Sequence, residues 1–576
     1  MATPTTHAGR PVTRPRELLS AVGSLTLLAP MQLGSGQSRD PDQGASKGVD
    51  SLVMRDRCNR PYVPGTSLAG LLREATRRLA GKDWAERLFG SDTQAETKTL
   101  SRIEVSDAVA QCWPASPAKL EVRQHVGIRR DRQTARDRIL YNHEVAPRGL
   151  GLRFELQAAD LEPEEKALLD AVLDLLGRRE GAIGGRKGSG LGQFALYLVG
   201  LRTWDLASPD DLCEFLLSDA DARWAVEGDG QPVRLASELL TVSASGDPAA
   251  LEWCRIDVTL TVTPDSPLLV KSPEVPAPVS RTWPGFRGKP PETVTDGDVE
   301  TYCVETQLAD GTQELYIPGS SLRGVLRSRA EKIIRTMAGD LAAACDPTLQ
   351  RFAGEGETLS QACGQTKRGP DERDGVCLAC QVFGCTEFAG RVRVAEGIRV
   401  EGSFDNDADQ KLLDHVAIDR FTGSPVHRKK FVTRPLMKGC FCTSVVLEGF
   451  RPWELGLVAY LLKDLHERDL RLGFGKAKGF GKVQGTVTSI ALEAAKGGGL
   501  ETLAGRLLGS GTDLGVLTRY SVADLGASAD GFLPASQAAW RAFLTECARQ
   551  CDEILDGWAA THPQCKEDTP DESAHQ

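Results

Sequence analysis

Four cysteines, Cys363, Cys377, Cys380 and Cys385, follow one another as C-x13-C-x2-C-x4-C. A Cys-x-x-Cys pair offers two thiolates to one ion from a tight turn, and two outer cysteines complete a tetrahedron around Zn²⁺. Glycines and a proline at 364, 369, 370, 375 and 384 surround the cluster, which suits loops wrapped around an ion better than a packed core. With all four positions filled by thiolates no open site remains, so the expected zinc is structural. The rival, a redox Cys-x-x-Cys, lacks its usual strand–helix context. Cys345 and the pair Cys440/Cys442 read as structural residues outside the cluster.

A second chemistry is phosphate binding. Two glycine-rich loops, Gly184-Gly-Arg-Lys-Gly-Ser-Gly-Leu-Gly192 and Gly473-Phe-Gly-Lys-Ala-Lys-Gly-Phe-Gly481, let a backbone come close to a phosphate. Arg186, Lys187, Lys476 and Lys478 add the charge. Neither loop has the Gly-Lys-Ser/Thr spacing of a nucleotide-binding P-loop. Ahead of each lies a Pro-Gly signature whose hydroxyls, Thr66 and Ser67 or Ser320 and Ser321, are placed to cap a helix and to meet an anion at its amino terminus. The helices then carry bases on one side: Arg73 with Arg77 and Arg78, and Arg323 and Arg327 with Arg329.

Residues 420–446 contain Arg420, Arg428, Lys429, Lys430, Arg434 and Lys438 and no acid. Bases alternating with Phe421, Phe431 and Val432 suit an extended hairpin that meets phosphates and wedges apolar side chains beside bases. Arg123–Arg148, with Tyr141 and His143, is the parallel arginine-rich stretch. His125 and His415 each open a short apolar strand and read as structural or RNA-contacting rather than catalytic.

The elements that must position these residues occur twice. Tyr62-Val-Pro-Gly-Thr-Ser-Leu-Ala-Gly-Leu-Leu-Arg73 recurs 254 residues later as Tyr316-Ile-Pro-Gly-Ser-Ser-Leu-Arg-Gly-Val-Leu-Arg327. His125-Val-Gly-Ile128 recurs 290 residues later as His415-Val-Ala-Ile418, and Gly190-Leu-Gly192 recurs 289 later as Gly479-Phe-Gly481. Three pairs in one order define an internal repeat, and the jump in offset marks an insertion in the second copy that contains the cysteines. Each copy opens on an alternating strand, Ser24–Leu28 and Ile256–Val262. The expected units are 17–205, a helical acidic connector 206–250, 251–490 with the zinc insertion near 340–390, and 491–576 as a helical extension with a disordered acidic tail. Residues 551–576 alone supply six of the ten net negative charges, so local basic stripes decide the partner. No apolar run approaches the ~20 residues of a membrane span, and the start of the chain does not read as a secretory signal. A soluble, cytoplasmic protein is expected.

The two Tyr-Val/Ile-Pro-Gly-Thr/Ser-Ser-Leu-x-Gly-x-Leu-Arg segments, the two glycine loops and the phrase His415-Val-Ala-Ile-Asp-Arg-Phe-Thr-Gly423 together resemble the RAMP superfamily of CRISPR-associated proteins. Within it they look more like the backbone subunits of type III effectors. The resemblance covers roughly 20–205 and 250–490. It implies an α+β fold: two tandem ferredoxin-like (RRM-like) modules, the second with a zinc knuckle. It also implies guide RNA (crRNA), complementary target RNA and other effector subunits as partners. The family's slicing aspartate lies in a loop ahead of the Pro-Gly motif. Gly48-Val-Asp50-Ser-Leu-Val-Met-Arg55-Asp56 matches that loop, so Asp50 is the implied catalytic residue, aided by Mg²⁺ or another divalent cation. The second loop departs from the pattern; of Asp296, Asp298 and Glu300 it nominates Asp298. The resulting expectation is a metal-dependent endoribonuclease acting on target RNA. The alternatives are a non-catalytic guide-RNA scaffold, or a metal-independent guide-processing ribonuclease using His125 or His143.

Overall fold

The structure is a computed structural model. It describes residues 15–38, 48–91, 99–111, 113, 120–130, 134–179, 181–217, 251–272, 280–283, 292–295, 299–346, 350–353, 357–360, 363, 376–386, 388–522 and 538–561.

The first module has β1 (Glu17–Leu27), α1 (Gly65–Ala80), β2 (Ile103–Val105), the hairpin β3 (Glu121–Ile128) and β4 (Ala135–Val145), β5 (Gly151–Ala159), α2 (Pro163–Arg179) and β6 (Phe194–Asp205). Hydrogen bonding orders the sheet β2-β5-β1-β6, all antiparallel. That is the order of a β-α-β-β-α-β ferredoxin-like unit, with β3–β4 as an insertion before the third core strand. Side chains of β5 alternate between half-buried and buried along its whole length, as a strand with one face on the core requires. Leu68, Leu72, Ala75 and Leu79 recur on the buried face of α1 at helical spacing.

The second module repeats the plan. β7 (Trp253–Val262), β8 (Val299–Tyr302), α3 (Gly319–Ala338), α4 (Leu378–Phe383) and β9 (Val392–Val394) come first. Next come the hairpin β10 (Leu413–Ile418) and β11 (Pro425–Arg434), then β12 (Gly439–Glu448), α5 (Pro452–His466) and β13 (Gln484–Ala495). Its sheet runs β9-β12-β7-β13 and continues into β14 (Leu517–Val522). The carboxy-terminal region read as helical therefore also contributes a strand to this sheet. Its last helix, α6 (Ala538–Thr561), lies on α5, burying Phe543, Cys547, Cys551 and Leu555, with the Tyr460 hydroxyl donating to Asp552 at 2.8 Å.

The modules dock head to tail. The glycine loop of the first sits on the amino terminus of α3: a Cβ on Gly319 would lie 2.2 Å from the Ser189 carbonyl oxygen, and one on Gly190 would lie 2.6 Å from that of Val394. Only glycine on both sides permits that approach. Charged pairs lock the contact. Arg123 on β3 reaches the second module, where it meets Glu396, donates to the Thr306 hydroxyl at 2.9 Å and lies over the Tyr316 ring. Arg130 pairs with Glu331 at 2.8 Å and Arg148 with Glu314 at 2.5 Å. Arg178 and Arg179 both hold Glu493 at 2.7 Å. Among the described residues no helix is long and apolar enough to cross a membrane.

Candidate RNA interface and metal centre

Asp50 sits on a loop stitched edge-on to β4. Its amide donates to the Asn142 carbonyl at 2.9 Å, one carboxylate oxygen accepts the Asn142 amide at 2.6 Å, and the Asn142 side chain donates to the Gly48 carbonyl at 2.8 Å. Behind it, buried Glu144 accepts the Val53 amide at 3.2 Å and pairs with Arg55 at 2.9 Å. Asp50 itself is exposed. The loop thus presents a carboxylate on a backbone held from both sides.

A column of rings and cations rises from the same strand. Arg186 of the glycine loop lies 4.3 Å above the Tyr141 ring and donates to its hydroxyl at 2.8 Å. Tyr141 stacks on His125 at 5.1 Å, and His125 on His143 at 4.6 Å. Desolvation, reinforced by Arg186, pushes His125 down to about 4. Desolvation, reinforced by His125, pushes His143 down to about 3. Both rings are neutral at pH 7. Neither His143 nitrogen has a hydrogen-bond partner among the described residues, and the ring is 2% exposed. As neutral imidazoles these histidines lack the imidazolium proton that a general acid would give to a leaving group at neutral pH.

The second module builds the same column with other residues. His415 stacks on Phe431 at 4.8 Å and shares a 2.9 Å hydrogen bond with Thr433, while Lys478 stands 4.0 Å over Phe431. The cation has moved along the loop. The left-handed position before its short 3-10 turn is Arg186 in one copy (φ +58°) and Gly475 in the other (φ +79°), so Lys478 supplies the charge instead. Both hairpins carry exposed apolar side chains: Val126, Ile128 and Leu140 on one, Val416, Ile418 and Phe421 on the other.

Hydrogen bonds align the two modules residue by residue. Gly192 to Pro30 and Gly185 to Gln32 correspond to Gly481 to Pro267 and Phe474 to Leu269. The bridges Met31–Ala146 and Gly34–Val53 correspond to Leu268–Leu436 and Lys271–Cys303. The parallel pair Ser51–His143 corresponds to Thr301–Thr433. The residue before Ser51 is Asp50; the residue before Thr301 is Glu300. Asp298, the expected counterpart, and Asp296 lie outside the described residues, and the strand register gives the place of Asp50 to Glu300.

The other expected RNA contacts divide. Pro64 and Pro318, not the hydroxyl residues, occupy the caps of α1 and α3. Thr66 is exposed and Ser67 half-buried, as is Arg73, and Arg186 and Lys187 are exposed. Ser320 and Ser321 are half-buried on the first turn of α3, where the first module docks. Lys476 and Lys478 lie on the second glycine loop, and burial pushes both ammonium groups down. Arg428, Lys429 and Lys430 belong to β11, with side chains outside the described residues. Arg323 and Arg327 do not face solvent as expected. Arg323 donates to the Phe383 carbonyl, and burial, then Arg327, pushes it down to about 10. Arg327 pairs with Glu331 at 3.0 Å and donates to the Gly384 carbonyl at 3.1 Å and to Cys380 Sγ at 3.4 Å. The α3 arginines brace the metal centre.

That centre also needs a correction. Cys345, Cys363, Cys377 and Cys380 bring their sulfurs within 4.8 Å of one another; Cys385 is not among them. Cys380 lies on the first turn of α4, and Gly384 (φ +74°) turns the chain away before Cys385, whose amide bonds back to the Phe388 carbonyl at 3.1 Å. The place is taken by Cys345, whose sulfur is 3.4 Å from Cys380 Sγ and whose amide donates to Cys377 Sγ at 3.2 Å. The Cys377 amide donates to Cys363 Sγ at 3.4 Å. Tetrahedral Zn–S bonds of ~2.3 Å put sulfurs about 3.8 Å apart, so the set fits one zinc ion. Among the described residues the groups of potential ligands are this one and Asp464, Glu467 and Asp469, and Asp50 belongs to neither.

Comparison with known proteins now decides the family. The RAMP superfamily matches residues 24–195 and 299–484, one region in each module and more than half of the chain. The chain belongs to the RAMP superfamily. No curated protein matches it. The RAMP matches coincide with the repeats that carry the glycine loops, the stacked columns and the Asp50 loop.

Proposed function

We propose that this RAMP protein is a guide-RNA-binding backbone subunit of a type III CRISPR ribonucleoprotein that cleaves complementary target RNA at the Asp50 loop. The supporting observation is the exposed Asp50 carboxylate, held by Asn142 on the strand that carries the Arg186–Tyr141–His125–His143 column. Cations and ring faces bind a strand through phosphates and stacking without reading its sequence, and pairing with the guide supplies the specificity. Beside a phosphate so held, the Asp50 oxygen not tied to Asn142 takes the proton of an attacking 2′-hydroxyl as its oxygen bonds to phosphorus and the P–O5′ bond breaks, which leaves a 2′,3′-cyclic phosphate and a 5′-oxygen that takes a proton from water. Glu300 is the residue at the matching register of the second module. The neutral, enclosed histidines count against the histidine ribonuclease. A scaffold that holds the guide and cuts nothing remains the competing reading.

The test is cleavage of labelled complementary RNA by the guide-loaded complex. Asp50→Asn should lower one cut by about 10²-fold or more while guide affinity stays within a few-fold. Glu300→Gln should remove a second cut that Asp298→Ala leaves alone. Unchanged cutting in all three variants would leave the scaffold reading.

A further inference from the structure

Strand alternation sends Tyr141 and His143 to one face of β4, into the stacked column, and Asn142 and Glu144 to the other, against the Asp50 loop. Glu144 is 2% exposed. One of its oxygens accepts the Val53 amide at 3.2 Å and the other accepts the Arg55 guanidinium at 2.9 Å. Its own amide donates to the Ser51 carbonyl at 3.0 Å. Arg55 is steadied from its far side, where it donates to the Asn59 side-chain oxygen at 3.0 Å. Asn142 and Gly48 fix the chain just before and at Asp50; Glu144 and Arg55 fix it from Ser51 to Arg55.

The second module carries these two charges in the opposite order. The bridges that match Val53 with Cys303 and Ala146 with Leu436 also match Arg55 with Glu305 and Glu144 with Arg434. Arg434 is 8% exposed. Burial pushes the Cys303 thiol up to about 11, and both charges reach it, Arg434 drawing it down and Glu305 raising it. They therefore stand at the equivalent loop. An acid and a base exchanged together between two copies of one fold serve as a pair, not through the chemistry of either residue alone. Such a buried pair stabilises little compared with apolar residues of the same volume, whereas it holds a backbone in one place.

We infer that Glu144 and Arg55 are positioning residues for Asp50, holding its loop so that the carboxylate oxygen not tied to Asn142 faces the scissile phosphate. This rests on the cleavage reading of Asp50 given above. Glu144 itself is no proton acceptor for the reaction, because it is buried and both its oxygens are engaged. A loop displaced by about 1 Å takes the carboxylate out of reach, which costs on the order of 10²-fold in rate.

Single-turnover cleavage of labelled complementary RNA by the guide-loaded complex tests it. Glu144→Gln and Arg55→Met should each slow the Asp50-dependent cut by about 10- to 100-fold, with target affinity within a few-fold of wild type. The inverted pair, Arg55→Glu with Glu144→Arg, reproduces the order found in the second module and should recover about ten-fold of the lost rate. A merely structural role predicts further loss there, since two core contacts are changed at once. Hydrogen exchange of the Asp50 and Val53 amides reads the loop without cleavage: it should quicken in the single variants and slow again in the inverted pair. Wild-type rates in both single variants, with Asp50→Asn inactive, would overturn the positioning role and leave the cleavage reading standing. Loss with no rescue in either measurement would overturn the pair as a unit. Unchanged cutting by Asp50→Asn would overturn both readings.

Discussion

At the scale of single residues, the stacked histidines tie the binding column to pH. An unfolded histidine titrates near 6.5, whereas His125 and His143 titrate near 4 and 3 in the fold. Between those values the unfolded chain binds more protons, so stability is full above about pH 6.5 and falls as pH drops toward 4. The loss should reach on the order of 5 kcal/mol by pH 4.5, about half of it from each ring. Denaturant titrations of wild type and His143→Phe across that range check it. The variant, which cannot protonate there, should show a visibly shallower acid loss. An equal slope in both would mean that other groups govern acid stability. The loop that carries Asp50 could be picked out from sequence because it resembles a known one. Its structural counterpart in the second module could not, because Asp296, Asp298 and Glu300 share one stretch and only the pairing of Thr301 with Thr433 of β11 sets the register.

At the scale of elements, the metal centre joins α3, α4 and the segment at Cys345. Cys345→Ser should lower bound zinc below one equivalent and cost on the order of several kcal/mol, since metal binding is folding energy in such a site. Cys385→Ser should keep one equivalent and near wild-type stability. Zinc content by mass spectrometry with a thermal melt separates the two; equal loss in both would return Cys385 to the site. Spacing favoured Cys385 because it lies only five residues after Cys380. The deciding event is a left-handed glycine that turns the chain away, and spacing alone does not carry that. The same holds for Arg323 and Arg327, which look like surface bases on a helix until α4 folds over them.

At the scale of the molecule, one buried pair holds much of the junction between modules. Arg123 and Glu396 are 6% and 4% exposed. Removing one partner strands a buried charge, so Arg123→Met should cost about 3–5 kcal/mol and split a joint unfolding transition into two. The double change Arg123→Met with Glu396→Met removes both charges and should recover most of that loss. Calorimetry of the three proteins measures both effects, and a single unshifted transition in Arg123→Met would show that the pair is not what couples the modules.

Sequence by itself determined the duplication, because the Pro-Gly, histidine and glycine-loop signatures are local, contiguous and repeated in order. It also determined the alternating strands and amphipathic helices, whose periods are set by backbone geometry, and the existence of a thiolate site. Tertiary structure alone decided which fourth cysteine joins that site, which helix arginines turn inward, which residue of the second loop stands before the β11-paired Thr301, and how one module's glycine loop seats on the next. Each of those depends on residues far apart in the chain meeting in a particular register, and no local pattern encodes the distance between them.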